Sequence, residues 1–249
     1  MKKYLLFLVV SLFFTFCTPK QWVLTNATTT AIPIDASTEQ YADKEMQAYI
    51  EPIKQQLDKE MNQVIGESLH DMRAGKPESL LSNWSSDVYL LAASEFLKEQ
   101  VDMSVVNMGS LRAPVLKGNI SVGTIFQLMP FENELVILYL RGSEISKLFN
   151  IFALEGGQGI GGCSFEIKAN KAINCKIQGK AIEENKLYSI ATNDFLAGGN
   201  DRMVPLATPE KRIDTGLKIR NILMAHVIRE TRNGRKIDAK LDGRISNQN

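Results

Sequence analysis

A chain of 249 residues can fold as one large domain or as two small ones. Its 44% hydrophobic and 23% charged residues are ordinary for a globular protein that buries a core. The net charge is +1, so no strong field draws nucleic acid or an anionic membrane to it by charge alone.

The N-terminus differs from the rest. "MKKYLLFLVVSLFFTFCTPKQ", residues 1–21, has two lysines, an apolar run and then Cys17. This is the layout of an export signal, and the run is short for a stable membrane span. A Cys just after the apolar core predicts a bacterial lipoprotein of the periplasm or cell envelope, with Cys17 lipidated as the mature N-terminus. Phe16 stands where a small residue is usual, and a plain secretory peptide or an uncleaved anchor would use the same run. Residues 22–38 are Thr/Ala-rich and aperiodic and read as a flexible tether.

From 39 to 59, Tyr41, Met46, Tyr49, Ile50, Ile53 and Leu57 recur at steps of mostly three and four. That spacing predicts a helix, with Pro52 as a kink or break. "NQVIGES" reads as a short strand. "SNWSSDVYLLAASEFLKEQ" predicts a helix capped by Ser82, with a buried stripe of Val88, Leu91, Ala92 and Phe96 and with Trp84 in the core. "VDMSVVNMGSLR" is a strand running into a Gly-containing loop, and "SVGTIFQLM" is a short helix capped by Ser121. "ELVILYL" is an apolar strand expected to be buried on both faces. "GSEISKLFNIFA" follows as a helix with Ser143 as its cap.

"SFEIKA", "INCKIQG" and "LYSIATN" read as strands, and "GLKIRNILMAHVIRETR" as a final helix with apolar Leu217, Ile222, Leu223, Ala225 and Val227. Cys163 and Cys175 flank a hairpin turning at Ala169-Asn170. A disulfide and two free buried thiols both fit this arrangement. No Cys/His spacing suits zinc. Mixed hairpins and βα pieces predict one α+β domain over 60–245, a mixed sheet flanked by helices, behind a hinge-like helix at 39–59.

Three loops at strand ends carry candidate chemistry. "NMGSLR" offers the Asn107 amide and the forked Arg112 cation, suited to phosphate or carboxylate. In "PFEN", Pro130 rigidifies the turn and directs Phe131 outward. "NDFLAGGND" offers Phe195 and Asp201 around a bend. Two exposed aromatics suit a stacked base, and a carboxylate such as Asp201 can accept both ribose hydroxyls. Gly109, Gly198 and Gly199 let a ligand approach the backbone. Each feature also has a structural use: Phe131 and Phe195 as core, Arg112 as a surface ion pair, Asn107 as a turn former and Asp201 as a cap.

Taken together, "NMGSLR", "GNISVGTIFQLMPFEN" and "YSIATNDFLAGGND" resemble, in this order, the C-terminal domain of the 5′-nucleotidase / UDP-sugar hydrolase / 2′,3′-cyclic phosphodiesterase family. "EPIKQQLDKEMNQVIGES" is similar to the helix and strand that enter that domain, and "KIDAKLDGRI" to its closing segment. The resemblance covers roughly 45–245. It implies that Phe131 and Phe195 sandwich a base and that Asn107 contacts it. It further implies that Arg112 lies near phosphate or ribose, and that Asp201 holds the ribose. Met108, Ser110, Asn200 and Arg202 stand where the family has glycines. Arg73 or Lys76 is the nearest match to a further family arginine.

The family's enzymes also carry a two-metal phosphatase domain whose Asp-x-His and Gly-Asn-His motifs are not found here. The two histidines of this chain, His70 and His226, lie in no such motif and read as surface or helix-face residues. The resemblance therefore implies a nucleotide-recognition domain, with no catalytic residue, cofactor or metal site of its own. A separate metallophosphatase chain would supply divalent metals and cleave the phosphate. Two other readings use the same fold: an exported nucleotide- or nucleoside-binding lipoprotein without catalysis, and an interaction protein that has lost the pocket.

Overall fold

The computed structural model describes residues 22–248; the export signal expected at 1–21, with Cys17, lies outside the described residues. The chain divides between Tyr49 and Ile50 into two compact units. In the first, residues 22–34 have no regular secondary structure and Ala36–Tyr41 form a 3-10 turn. Asp35 caps that turn, accepting from the Ser37 amide at 2.8 Å. Helix α1, Lys44–Met61, begins in this unit and ends in the second. It starts five residues later than the pattern predicts, because residues 39–41 belong to the 3-10 turn. It also runs on through Pro52 without a break.

In the second unit, β1 (Val64–Ser68) pairs antiparallel with β3 (Gly118–Ser121). The centre is a mixed five-stranded sheet. Its strands are β2 (Met103–Val106), β4 (Glu134–Arg141), β5 (Gly159–Gly161), β9 (Leu187–Asn193) and β10 (Lys211–Lys218), in the order β10-β4-β9-β2-β5. A second sheet has β6 (Cys163–Lys168), β7 (Lys171–Ile177), β8 (Lys180–Ala181) and β11 (Ile245–Asn247), in the order β11-β6-β7-β8. The architecture is the α+β class expected.

Strand β4 shows how sequence becomes layering. Alternate strand residues face opposite sides of a sheet. Leu135 and Ile137 enter one core with α2 (Leu80–Leu97), α3 (Val122–Leu128) and α6 (Ile219–Arg232). Val136, Leu138 and Leu140 enter the other core with α4 (Gly142–Leu154) and the second sheet. The strand is paired on both edges by β10 and β9 and packed on both faces by the two cores, as its unbroken apolar run predicts.

Several local expectations shift. The cap of α2 is Ser79, three residues before Ser82; Ser82 is its reciprocal partner in a capping box. The buried face of α2 is Leu81, Trp84, Val88, Tyr89 and Ala93, leaving Leu91 and Phe96 exposed. The stripe is turned because the helix is apolar on more than one side, so periodicity alone does not orient it. Ser143 does not cap α4, which begins at Gly142. The amides of Gly142 and Ser143 instead donate to the carbonyls of Lys186 and Glu184. Gly216-Leu217-Lys218 continue β10, so the last helix starts at Ile219 and Leu217 and Ala225 stay exposed.

Ser121 caps α3 in a capping box as expected. The hairpin turns at Ala169-Asn170, both in left-handed backbone. Cys163 and Cys175 are free thiols; Cys163 pairs in register with Ile177 rather than with Cys175.

Candidate functional site

The three loops meet because their strands are neighbours. Strands β4, β9 and β2 are consecutive in the central sheet. β9 runs parallel to β2 and antiparallel to β4. The C-terminal ends of β2 and β9 therefore lie at the same edge as the N-terminal end of β4. Asn107 follows β2, Phe131 precedes β4, and Phe195 and Asp201 follow β9. Leu135 faces Asn193 in register, which brings the Phe131 and Phe195 segments together.

The result is a cavity of about 260 Å³ lined by Asn107, Gly109, Ser110, Arg112, Phe131, Asn133, Phe195 and Asp201. All five polar and aromatic residues singled out in the sequence line it. Gly198 and Gly199 do not. Gly198 closes the short helix α5 (Asp194–Ala197), and Gly199, at φ +80°, makes the turn that follows. Asn133 was not singled out, although it ends the "PFEN" motif.

Phe195 is 41% exposed. Phe131 is half-buried against the core, so Pro130 does not turn it fully outward. The Arg112 guanidinium sits 5.2 Å from the Phe131 ring centroid, a cation–π contact. Among the described residues, Arg112 has no carboxylate partner. The Asn107 amide donates to Asp201 Oδ2 at 2.7 Å and accepts from Asn193 Nδ2 at 3.2 Å. It is thus engaged with the carboxylate rather than left entirely to a base.

The replaced glycines resolve in physical terms. Met108 and Ser110 have ordinary negative φ in a 3-10 turn. Ser110 Oγ donates back to the Asn107 carbonyl at 2.7 Å. The left-handed positions after the bend are Asp201 (φ 52°) and Arg202 (φ 63°), not Asn200. Asp tolerates this region better than Arg does. Asn200 instead donates from Nδ2 to the Phe195 carbonyl at 2.8 Å.

A second cavity of about 310 Å³ adjoins the first across the Asn107–Asp201 contact. It adds Lys76, Met108, Glu155, Gln158, Arg202 and Met203 to the shared Asn107, Gly109 and Asp201. Glu155 occupies both of its cations. Arg202 Nη1 lies 2.9 Å from Glu155 Oε1, and Lys76 Nζ donates to the Glu155 carbonyl. Arg73 does not line either cavity. A larger groove of about 610 Å³ between α2 and α6 holds none of the sequence-derived candidates.

His70 pairs with Asp238 at 3.0 Å on the surface. His226 sits on α6 with its ring 6.1 Å from that of Trp84, and burial holds its imidazolium form below the ordinary range.

Strand order, loop positions and pocket composition together give an α+β domain with one site built by three loops at the edge of its central sheet. Residues 63–208 match the family described as 5′-nucleotidase, C-terminal domain, and the chain belongs to that family. It is 26% identical over 190 residues to protein UshA of Yersinia enterocolitica, a match that covers 74% of this chain and 34% of that one. It is 26% identical over 235 residues to the trifunctional nucleotide phosphoesterase protein YfkN of Bacillus subtilis, covering 86% of this chain and 16% of that one. Among solved structures, the 5′-nucleotidase precursor from Thermus thermophilus superposes with a TM-score of 0.69 at 25% identity, over 85% of this chain and 44% of that one. The chain thus spans about a third or less of the length of these two curated relatives.

Proposed function

We propose that this domain recognises a nucleoside 5′-phosphate, holding base and ribose, while a metallophosphatase on a separate polypeptide hydrolyses the phosphate. The observation that carries the reading is the convergence of Phe131, Phe195, Asn107, Arg112 and Asp201 on one cavity. The two aromatic faces suit a base, and Asp201 keeps acceptor capacity for ribose hydroxyls beyond its bond to Asn107. Arg112, with no carboxylate partner among the described residues, is the cation open to a phosphate. At about 260 Å³ the cavity falls just short of the usual ligand site, which runs from roughly 300 Å³ upward. That size suits a cleft completed by a second domain. Divalent metals belong to the partner's half of the reaction. The export signal read at 1–21 would place the pair in the cell envelope, anchored through Cys17.

One observation favours a second reading. The Glu155 carboxylate pairs with Arg202 and lies 3.9 Å from Lys76 beside the pocket, which lowers the positive charge open to a phosphate and suits an uncharged nucleoside better. A nucleoside-binding protein without a catalytic partner would have this preference.

Calorimetry with AMP and adenosine on the full chain, with Phe195→Ala beside it, tests both readings. Loss of one stacking ring should weaken binding by about 1–3 kcal/mol. AMP binding equal to or tighter than adenosine supports the split hydrolase, and adenosine alone supports the second reading. Binding of neither ligand, with or without a co-purified metallophosphatase, would refute both and leave an interaction protein.

A further inference from the structure

We propose that Asn193 is a positioning residue, which sets the amide orientation of Asn107 and so presents Asp201 to the nucleoside. The ligand in this inference rests on the proposed function; the positioning rests on hydrogen-bond geometry alone.

Asn193 ends β9 and is fully buried. It does not line the cavity. Its Oδ1 accepts from the Leu196 amide at 2.8 Å, capping the helix that carries Phe195. Its Nδ2 donates to Asn107 Oδ1 at 3.2 Å, and Asn107 Nδ2 donates to Asp201 Oδ2 at 2.7 Å.

Chemistry fixes the direction of this chain at both ends. A backbone amide can only donate, so Asn193 must turn its oxygen to Leu196 and its NH2 to Asn107. An ionised carboxylate can only accept, so Asn107 must turn its NH2 to Asp201 and its oxygen to Asn193. Reversing either amide sets like groups against each other in a buried place, where an unmade hydrogen bond is costly. One side chain thereby couples the aromatic part of the site to its carboxylate.

Two substitutions separate this role from simple helix capping. Ser and Asp are both good caps, so Asn193→Ser and Asn193→Asp keep the contact to Leu196. The Ser hydroxyl is too short to reach Asn107. The Asp carboxylate has no hydrogen to donate, so Asn107 would turn its NH2 to residue 193 and confront Asp201 with oxygen. Asn200→Ala is the control, because Asn200 holds the same helix through the Phe195 carbonyl without touching Asn107.

Adenosine affinity is expected to fall about tenfold in N193S, the upper end of what one neutral hydrogen bond is worth, and further in N193D. It should change by no more than about threefold in N200A. Wild-type affinity in N193S, or an equal loss in N200A, overturns the proposal. A wild type that binds neither adenosine nor AMP refutes the functional reading instead. The positioning is then read without ligand, from the Asn107 side-chain amide signal assigned with N107S. That signal should shift and exchange faster in N193S and stay in place in N200A. An unmoved Asn107 signal in N193S overturns the positioning proposal whether or not ligand binds and whether or not N193D folds.

Discussion

Arg244→Met should destabilise the domain by about 3 kcal/mol at neutral pH. The Arg244 side chain is 11% exposed and clasps two carboxylates. Nη1 and Nη2 reach Asp87 at 2.8 and 3.1 Å, and Nε and Nη2 each reach Asp242 at 2.8 Å. Nη1 also donates to the Ile160 carbonyl at 2.7 Å. The clasp joins α2, β5 and the segment leading to β11. Both carboxylates are about half exposed, so each pair counts as roughly 1 kcal/mol, not the larger figure of a buried pair. The Ile160 carbonyl keeps the Ser86 hydroxyl at 2.8 Å, so the lost Arg244 bond to it adds only the net value of one hydrogen bond, about 1 kcal/mol. Met refills most of the volume of the aliphatic stem.

The sign of the pH effect is fixed by the two carboxyls. The Arg244 hydrogen bonds hold Asp242 below its usual range. Its contribution is therefore present above the unfolded pKa and is lost as pH falls through the folded one. Burial pushes Asp87 up in spite of Arg244, so folding gains as pH falls through its raised value. In R244M, Asp242 loses its depression and Asp87 rises further, so the deficit should be largest at pH 7 and shrink below about pH 4. Urea unfolding at the two pH values, followed by fluorescence of buried Trp84, reads it directly. A deficit under about 1 kcal/mol, or one equal at both pH values, would refute the electrostatic account.

Glu155→Gln removes the carboxylate that pairs with Arg202 and lies 3.9 Å from Lys76, while Lys76 keeps its bond to the carbonyl of position 155. The added positive charge should tighten AMP by about tenfold while leaving adenosine within about twofold; calorimetry with both ligands checks it, and a parallel gain for adenosine would disprove a charge effect. Burial pushes the Cys175 thiol up to about 11, so its alkylation in the folded protein should climb about tenfold per pH unit from roughly pH 8 to 10. A rate that levels off near the free-cysteine value, measured by mass spectrometry of the modified peptide, would contradict the buried environment. Cys163, more deeply buried, should react only on unfolding.

The parts of this fold that the sequence made legible are those governed by local rules. The apolar run of β4 predicted a doubly covered strand, and Ser121 was predicted as the cap of α3. The Ser143 cap fails for a nonlocal reason. Its side chain has the right chemistry, but the amides of Gly142 and Ser143 donate to carbonyls more than forty positions away in the chain, and the helix begins before Ser143. Strand β5 was missed because Gly159-Ile160-Gly161 has no strand propensity. It pairs because a Cβ on Gly161 would lie 2.6 Å from Ser104 Oγ, so only glycine fits so close to β2.

The site divides along the same line. Asn107, Arg112, Phe131, Phe195 and Asp201 were visible because each sits in a loop directly before or after a strand, and neighbouring strands place such loops together. Glu155 and Gln158 were not visible, since they follow α4 and enter the second cavity through tertiary contacts alone. Asn193 lay inside the quoted "NDFLAGGND" yet carried no signal of its own. Its role follows from the two residues it bonds: the cap on Leu196 is local, but the bond to Asn107 exists only once β9 lies beside β2. The residues that touch a ligand can thus be read from the loops, but those that orient them need the register of the sheet, which is why the Asn193 substitutions test the site more closely than another truncation of its aromatic faces.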